Sequence, residues 1–325
     1  MTEIKIIDST GVEDRFVNTP IIEREGKRLT VALLTDLDGT VNDESIKESE
    51  RIQTIGPAKE AISQLEARNI MVGLITARSF EEAVEYQTAL HATGVIICED
   101  GGVIGLPLHQ IPKAEEEKLG AKYKLETYKG RRVLRLSSIK TDDMRKFLKK
   151  IEEEAGEGKI ISSCTSSPEE LARAANHATI RAAELSQGRL ASAYAVGLSP
   201  AQQKLIAELA PQRNIRTFRS SVDKTTLFFG EDTNKGHAVD VLRANPHIFY
   251  PQGVKVDGIF MIAIGNHNND APLLSRADIA VVVAKANGGY AISNDNMPRG
   301  TLLMKQPYGY GIKEAVPEIL DRLKL

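Results

Sequence analysis

Apolar residues run through this chain in two rhythms. Short unbroken runs stand at 31–34, 70–75, 94–98, 259–264 and 279–283, each closed by polar residues or glycine. Runs of that kind predict strands covered on both faces, as in a parallel sheet. Between them, apolar positions recur every three or four residues. Ala58, Ala61, Ile62 and Leu65 share one helical face behind Pro57, and Ala238, Val241 and Leu242 share another behind Lys235 and Gly236. Ala315, Val316, Ile319, Leu320 and Leu323 form a last stripe, and Ser79 with Glu82 makes a capping box for a helix over 80–90. Strand and helix alternate at both ends of the chain, which predicts an α/β fold built on a doubly wound parallel sheet.

The middle has another rhythm. From 106 to 231 the strand-like runs are half polar: 132–137 alternates in part, and 215–220 with 225–229 reads as a hairpin about 222–224. Met144, Phe147, Leu148 and Ile151 mark a helix, and the runs Ser167-Pro168-Glu169-Glu170 and Ser199-Pro200-Ala201-Gln202 are strong helix starts. The expected organisation is a core from 1–104 and 234–325, interrupted by an inserted α+β cap at 105–233. Residues 1–30, with short strands at 4–7 and 15–18, form an extension to which no chemistry is assigned.

Composition narrows the class. A chain of 325 residues has room for a core with an insertion. Hydrophobic content of 42% and charged content of 26% are ordinary for a globular protein in water. A net charge of −2 gives no electrostatic case for nucleic acid or an anionic membrane. No apolar run approaches the length of a membrane span, and residues 1–8 lack a signal-peptide pattern. Cys98 and Cys164 cannot make a disulfide framework, so a reduced, cytoplasmic setting is expected. The expected partner is a small molecule, and the oligomeric state is not legible.

Candidate chemistry gathers where the strands end, which is where open α/β sheets bind ligands. The first run leads into Thr35-Asp36-Leu37-Asp38-Gly39-Thr40. Two acids so close repel each other and need a proton or a cation to coexist. A hard divalent ion with oxygen ligands, Mg²⁺, is the usual answer. The run 70–75 ends in Thr76-Ala77-Arg78-Ser79, and 94–98 in Glu99-Asp100-Gly101-Gly102. Lys235 opens a helix, and 259–264 ends in Gly265-Asn266-His267-Asn268-Asn269-Asp270. Singly, these are ordinary caps, turns and solvated charges. In the order D-x-D-G-T, Thr, Lys, G-N-x-x-N-D, they resemble the haloacid dehalogenase superfamily of phosphohydrolases. The insertion between the Thr and Lys motifs resembles the large C2-type cap of its Cof-like branch.

That resemblance implies roles. Asp36 would be the nucleophile that forms an aspartyl-phosphate. Asp38 would protonate the leaving alkoxide and then activate water. Thr76 would donate to the phosphoryl oxygens, Lys235 would offset negative charge, and Asn269 would hydrogen-bond near the phosphoryl site. Mg²⁺ would be held by Asp36, the main-chain carbonyl of Asp38, and the final loop. There Asn266 stands where the family has aspartate, keeping a carbonyl oxygen but losing a charge. Asp270 would join the metal shell or orient Lys235. Arg78 would approach substrate or pair with a nearby acid, and His267 is read as solvated. Glu99 to Gly102 resembles the family's E-N-G-A turn, which can face the cap.

Within the branch, the closest resemblance is to mannosyl-3-phosphoglycerate phosphatases. It rests on Asp232-Thr233-Asn234-Lys235-Gly236 after the cap hairpin, on Asn269-Asp270-Ala271-Pro272-Leu273-Leu274, and on the valine-rich tail at 280–290. Arg181 falls near a cap arginine that holds substrate in that family, although 182–189 departs from its R-x-x-S-E-P pattern; the alternative is a surface arginine. The expected function is a Mg²⁺-dependent phosphomonoester hydrolase acting on a phosphorylated sugar or sugar-glycerate ester. The alternatives are a phosphatase for sucrose or hexose phosphate, and a weakened relative that binds a phosphometabolite without turnover.

Overall fold

The two rhythms become two sheets. The structure, a computed structural model, describes residues 5–7, 20–107, 111, 113–175, 179–219, 224–249 and 256–325. It opens with β1 (Lys5–Ile7) laid on β2 (Ile21–Arg24), which turns into β3 (Lys27–Thr35). The turn residues Glu25 and Gly26 both have positive φ, 55° and 74°, the backbone that a two-residue hairpin needs. The strand expected at 15–18 lies outside the described residues.

The stretch 42–50, which reads as a charged linker, runs into a short helix, α1 (Glu48–Arg51). Then α2 (Gly56–Glu66) leads to β4 (Met71–Ile75), and α3 (Phe80–Leu90) to β5 (Ile96–Cys98). Pro57 sits in the first turn of α2, where a missing N–H costs little, and the Ser79–Glu82 capping box is formed. The chain then reverses into β6 (Val103–Gly105), α4 (Lys113–Lys122), β7 (Lys124–Tyr128) and β8 (Arg131–Arg135).

A second unit follows: α5 (Thr141–Ala155), β9 (Ile161–Ser162), α6 (Pro168–Ala174), α7 (Ile180–Gln187), β10 (Ser192–Val196), α8 (Pro200–Leu209), β11 (Ile215–Arg219) and β12 (Thr225–Gly230). The expected hairpin is present as β11 and β12; residues 222 and 223 of its tip lie outside the described residues. The chain returns through α9 (Lys235–Ala244), β13 (Gly258–Gly265), α10 (Ala271–Leu274), β14 (Ile279–Ala284), β15 (Leu302–Pro307) and α11 (Tyr308–Leu323).

The larger sheet runs β15-β14-β13-β3-β4-β5-β6-β8-β7, with β2 also paired to β3 and β1 to β2. Its central strands, β15 through β5, are parallel. Side chains of β3 point alternately to opposite faces. Val31 and Leu33 join the layer that holds Ile62 and Leu65 of α2 and Val316 and Ile319 of α11; Ala32 and Leu34 join that of Val239 and Leu242 of α9. The expected α/β fold is therefore observed, helices covering both faces.

The smaller sheet, β11-β12-β10-β9, is antiparallel throughout. One face packs on α5 and α8 through Phe147, Ile206 and Phe228, and the other on Leu171 of α6 and Ala183 of α7. The sheets do not divide at 105, however. Strands β6, β8 and β7 extend the larger sheet in antiparallel fashion, with Val133 and Leu134 fully buried in it. Half-polar alternation marks an outer antiparallel strand as well as a separate domain, so the pattern alone places the boundary too early. The two connections of the smaller unit meet at Ser138, whose N–H donates to Asp232 Oδ2 at 2.9 Å.

Candidate active site

Strand pairing carries the first motif to its place. The amide of Asp36 donates to Ile264 O at 3.0 Å, extending the β3–β13 ladder by one residue. The chain then turns tightly, with the amides of Val41 and Asn42 on Leu37 O. Gly39 has φ +76°, and a Cβ there would lie 2.1 Å from Asn266 Nδ2. Glycine at this position lets the loop after β13 come against the loop after β3.

Lys235 is the first residue of α9, fixed by its neighbour Asn234, whose side chain caps the helix by accepting the His237 N–H. Its Nζ donates to Asp36 Oδ1 and to Asp270 Oδ1, each at 2.6 Å, and all three residues are buried. The other oxygen of Asp270 accepts the N–H groups of Asn266 at 2.9 Å and His267 at 3.1 Å. Of its two expected roles, the contact with Lys235 is the one observed.

Burial, and then the charge of Asp270, push the Asp36 carboxyl up to about 8 against the opposing pull of Lys235. Burial works against the Lys235 ammonium, but Asp270, Asp36 and Asp100 outweigh it and hold it charged well above its usual range. Two buried carboxylates thus share one ammonium, leaving negative charge for a cation to offset.

The second acid is held differently. Arg78 grips Asp38 with a two-pronged contact, Nε to Oδ2 at 2.8 Å and Nη2 to Oδ1 at 2.7 Å, and also reaches Glu82 at 3.1 Å. Asn42 donates to Asp38 at 3.2 Å, and Arg51 stands 3.5 Å away. Burial alone would raise the Asp38 carboxyl; the charge and hydrogen bonds of Arg78, with Arg51 and Asn42, reverse that and hold it below the usual range. Of the two readings of Arg78, pairing with an acid is the one observed.

Thr76, at the end of β4, is buried, and its hydroxyl accepts the Arg78 N–H at 3.2 Å, leaving its own proton to donate. Asn269 and His267 are exposed, and the Asn269 side chain makes no hydrogen bond among the described residues. Arg181 is also exposed, 3.6 Å from Glu184 on its own helix. The structure does not bring it into the cluster.

The turn after β5 shows what the sequence reading missed. Glu99 is buried, and its carboxylate accepts the Leu190 N–H at 2.7 Å, the Ala191 N–H at 2.8 Å and the Ser192 hydroxyl at 2.6 Å, all from the smaller unit. Asp100 takes Arg216 Nη2 of β11 at 2.6 Å. Arg189 reaches back to Ala77 O at 3.1 Å, beside Thr76 and Arg78. Nothing in the spacing of Arg189 or Arg216 marks them; the signal that was available is the acid pair Glu99-Asp100 at a strand end.

Oxygen donors for a hard cation are present: the second oxygen of Asp36, the Asn266 carboxamide, and the main-chain carbonyl of Asp38. Asp38 has only its carbonyl to offer, since Arg78 occupies its carboxylate. Among the described residues no group of three or more His, Cys, Asp or Glu converges as a cage. The set fits Mg²⁺, held partly by water and substrate oxygens.

A family model described as haloacid dehalogenase-like hydrolase matches residues 33–294. No curated protein matches the sequence. Among solved structures, a haloacid dehalogenase-like hydrolase from Bacteroides thetaiotaomicron superposes with a TM-score of 0.59 at 16% identity, over 89% of this chain and 98% of its own. A phosphatase of the haloalkanoate superfamily from the same organism gives 0.54 at 16% identity, over 91% and 96%. A subclass IIB sugar phosphatase gives 0.53 at 13% identity, over 89% and 99%. At such identities these likenesses speak to the fold.

Proposed function

The chain belongs to the haloacid dehalogenase-like hydrolases, and on that footing we propose that it is a Mg²⁺-dependent phosphomonoester hydrolase acting through an aspartyl-phosphate. The proposed substrate is a phosphorylated sugar or a sugar-glycerate ester such as mannosyl-3-phosphoglycerate. The observation that carries the reading is Lys235, buried with its ammonium 2.6 Å from both Asp36 and Asp270 at the carboxyl edge of the sheet. It holds one oxygen of Asp36. Among the described residues the other, Oδ2, has only a long 3.4 Å contact from the Thr40 hydroxyl, so the carboxylate keeps an oxygen open to phosphorus or to the cation.

In the first step an Asp36 oxygen–phosphorus bond forms and the ester phosphorus–oxygen bond breaks, the leaving alkoxide taking a proton from Asp38. In the second, Asp38 takes a proton from water, the water oxygen bonds phosphorus, and Asp36 is released. Asp38 can act as an acid only when Arg78 slackens its grip, because the observed pairing keeps it ionised. Thr76 donates its hydroxyl to the phosphoryl oxygens. Bound Mg²⁺ supplies neutralisation of charge on the transferring group.

The sugar class is supported by one fold neighbour, the subclass IIB sugar phosphatase, and by the sequence resemblance; the exposed position of Arg181 lends the mannosyl ester no support. Sucrose and hexose phosphates are the alternative esters. Asn266 favours a second reading, a weakened relative that binds without turnover, because it withdraws a carboxylate from the cation site. Phosphate release from a panel of sugar phosphates, with and without Mg²⁺, decides. Turnover of none of them, with binding retained, selects the second reading.

A further inference from the structure

We propose that this protein has a second binding site, apart from the Asp36 centre, for a small phosphorylated or carboxylated sugar. It lies in a cavity of about 510 Å³ where α5 and the start of α6 meet β7 and β8. Neither Asp36, Asp38, Thr76 nor Lys235 lines it. Its volume is that of a small-molecule pocket, and its chemistry is cationic. Five basic side chains face two carboxylates, and the carboxylates are already paired, Glu126 with Arg135 and Asp142 with Arg145.

The strongest sign is a pair of nearly buried guanidiniums. The side chains of Arg135 and Arg189 are 7% and 5% exposed. Arg135 gives Nε to Glu126 at 2.9 Å and Nη1 to Ser137 O at 3.2 Å. Arg189 gives Nε to Ser186 O at 3.2 Å, and Nη1 to Ala77 O and the Ser192 hydroxyl. Among the described residues neither Nη2 has a hydrogen-bond acceptor, and the nearest carboxylate to that of Arg189, Glu82, is 4.0 Å away. Neither Nη2 is among the fully buried atoms that lack a partner, so each donor reaches solvent, and the guanidinium fork matches the oxygens of phosphate or carboxylate.

Lys140 also lines the cavity, is exposed, and has no ion pair among the described residues. On the core side Glu82 and Glu99 flank Arg189.

The cavity carries its own reporter. Cys164 lines it and is half-buried, whereas Cys98 is 0% exposed, so alkylation by iodoacetamide reports Cys164. Labelling is followed on the full chain in metal-free buffer with orthophosphate or glucose 6-phosphate, against potassium chloride of matched ionic strength. We expect either probe, but not chloride, to slow labelling several-fold with a half-effect at millimolar concentration or below. In Lys140→Glu the half-effect concentration should rise about tenfold, roughly 1.4 kcal/mol of binding. Arg135→Lys, which keeps the charge but removes the fork, should weaken protection too, in protein shown to be folded by circular dichroism. Labelling unchanged by ~10 mM of both probes, where a millimolar site would be filled, overturns the proposal; so does protection that survives Lys140→Glu undiminished. No turnover enters the measurement, so its failure leaves the hydrolase reading standing.

Discussion

At the scale of single residues, two carboxylates one residue apart are given opposite treatment. Asp36 is buried against an ammonium, and Asp38 is half-exposed in an arginine fork. Asp36→Asn should abolish phosphate release while leaving the fold intact, since the amide cannot attack phosphorus; more than a few per cent of wild-type rate, with deamidation excluded by mass spectrometry, would rule out the covalent route. Arg78→Gln should raise the Asp38 carboxyl from its depressed position, because the charge holding it ionised is gone. The acid form then persists to higher pH, so the alkaline limb of the kcat profile should move upward; a downward or absent shift counts against Asp38 as the acid. Asn266→Asp adds a charge about 4 Å from others, worth roughly 4 kcal/mol at an effective dielectric of ~20 before desolvation and repulsion from Asp36 take their share. The Mg²⁺ concentration for half-maximal rate should fall, and an unchanged midpoint would mean that Asn266 does not touch the ion. Asp36, Thr76, Lys235 and Asp270 were legible because a strand end or helix start announced each. Which acid Arg78 meets was not, because spacing along the chain does not fix a contact between a loop after β4 and a loop after β3. Of the two readings of Arg181, the surface arginine is the one its exposed position matches; a place in a cap does not fix the direction in which a side chain leaves the helix.

At the scale of elements, the turn after β5 joins the two units and shapes the site. Glu99, Asp100 and Gly101 all have positive φ, 55°, 55° and 91°. Three such residues in succession are strained and persist only where surroundings hold them. Here Glu99 is held by the backbone of 190 and 191, Asp100 by Arg216, and Gly101 lies against the start of α9, where a Cβ would be 2.2 Å from Asn234 O. Gly101→Ala should therefore displace Asn234, which caps the helix that begins at Lys235. We expect a loss of about 2–4 kcal/mol in chemical denaturation, together with a fall in kcat larger than any change in KM. Equal stability and rate would show that α9 tolerates the shift. β3, β4, β5, β13 and β14 could be read from rhythm alone because each has a buried apolar run, whereas the parallel strand β15, exposed along much of its length, could not. β6 to β8 could not be assigned to their sheet, since an outer antiparallel strand such as β7, half-buried along its length, has the same pattern whichever sheet it joins.

At the scale of the whole molecule, the smaller unit hangs from one place, with Ser138 and Asp232 hydrogen-bonded where the chain leaves and returns. Replacing 139–231 with a short Gly-Ser link should leave the larger sheet assembled, while the Glu99–Gly101 turn loses its holders at 190–192 and 216 and its packing on the start of α9 loosens. Hydrolysis of a generic aryl phosphate should persist while discrimination among sugar esters is lost. Removal of 105–233 instead strips β7 and β8 and bares the edge of β6, and should give aggregating protein. Size-exclusion chromatography of the two deletions checks both expectations. The same layout has a consequence for synthesis on the ribosome. The smaller unit is one uninterrupted stretch and can fold as soon as residue 230 has emerged. β3 must wait for β13, its parallel neighbour from the last third of the chain. At translation rates of about 5–20 residues per second, that interval is roughly 10–45 s. Throughout it, the strand that leads into Asp36 lacks its β13 partner. The smaller unit is thus ready before the larger sheet, and any chaperone that attends this chain has most to do for residues 27–35.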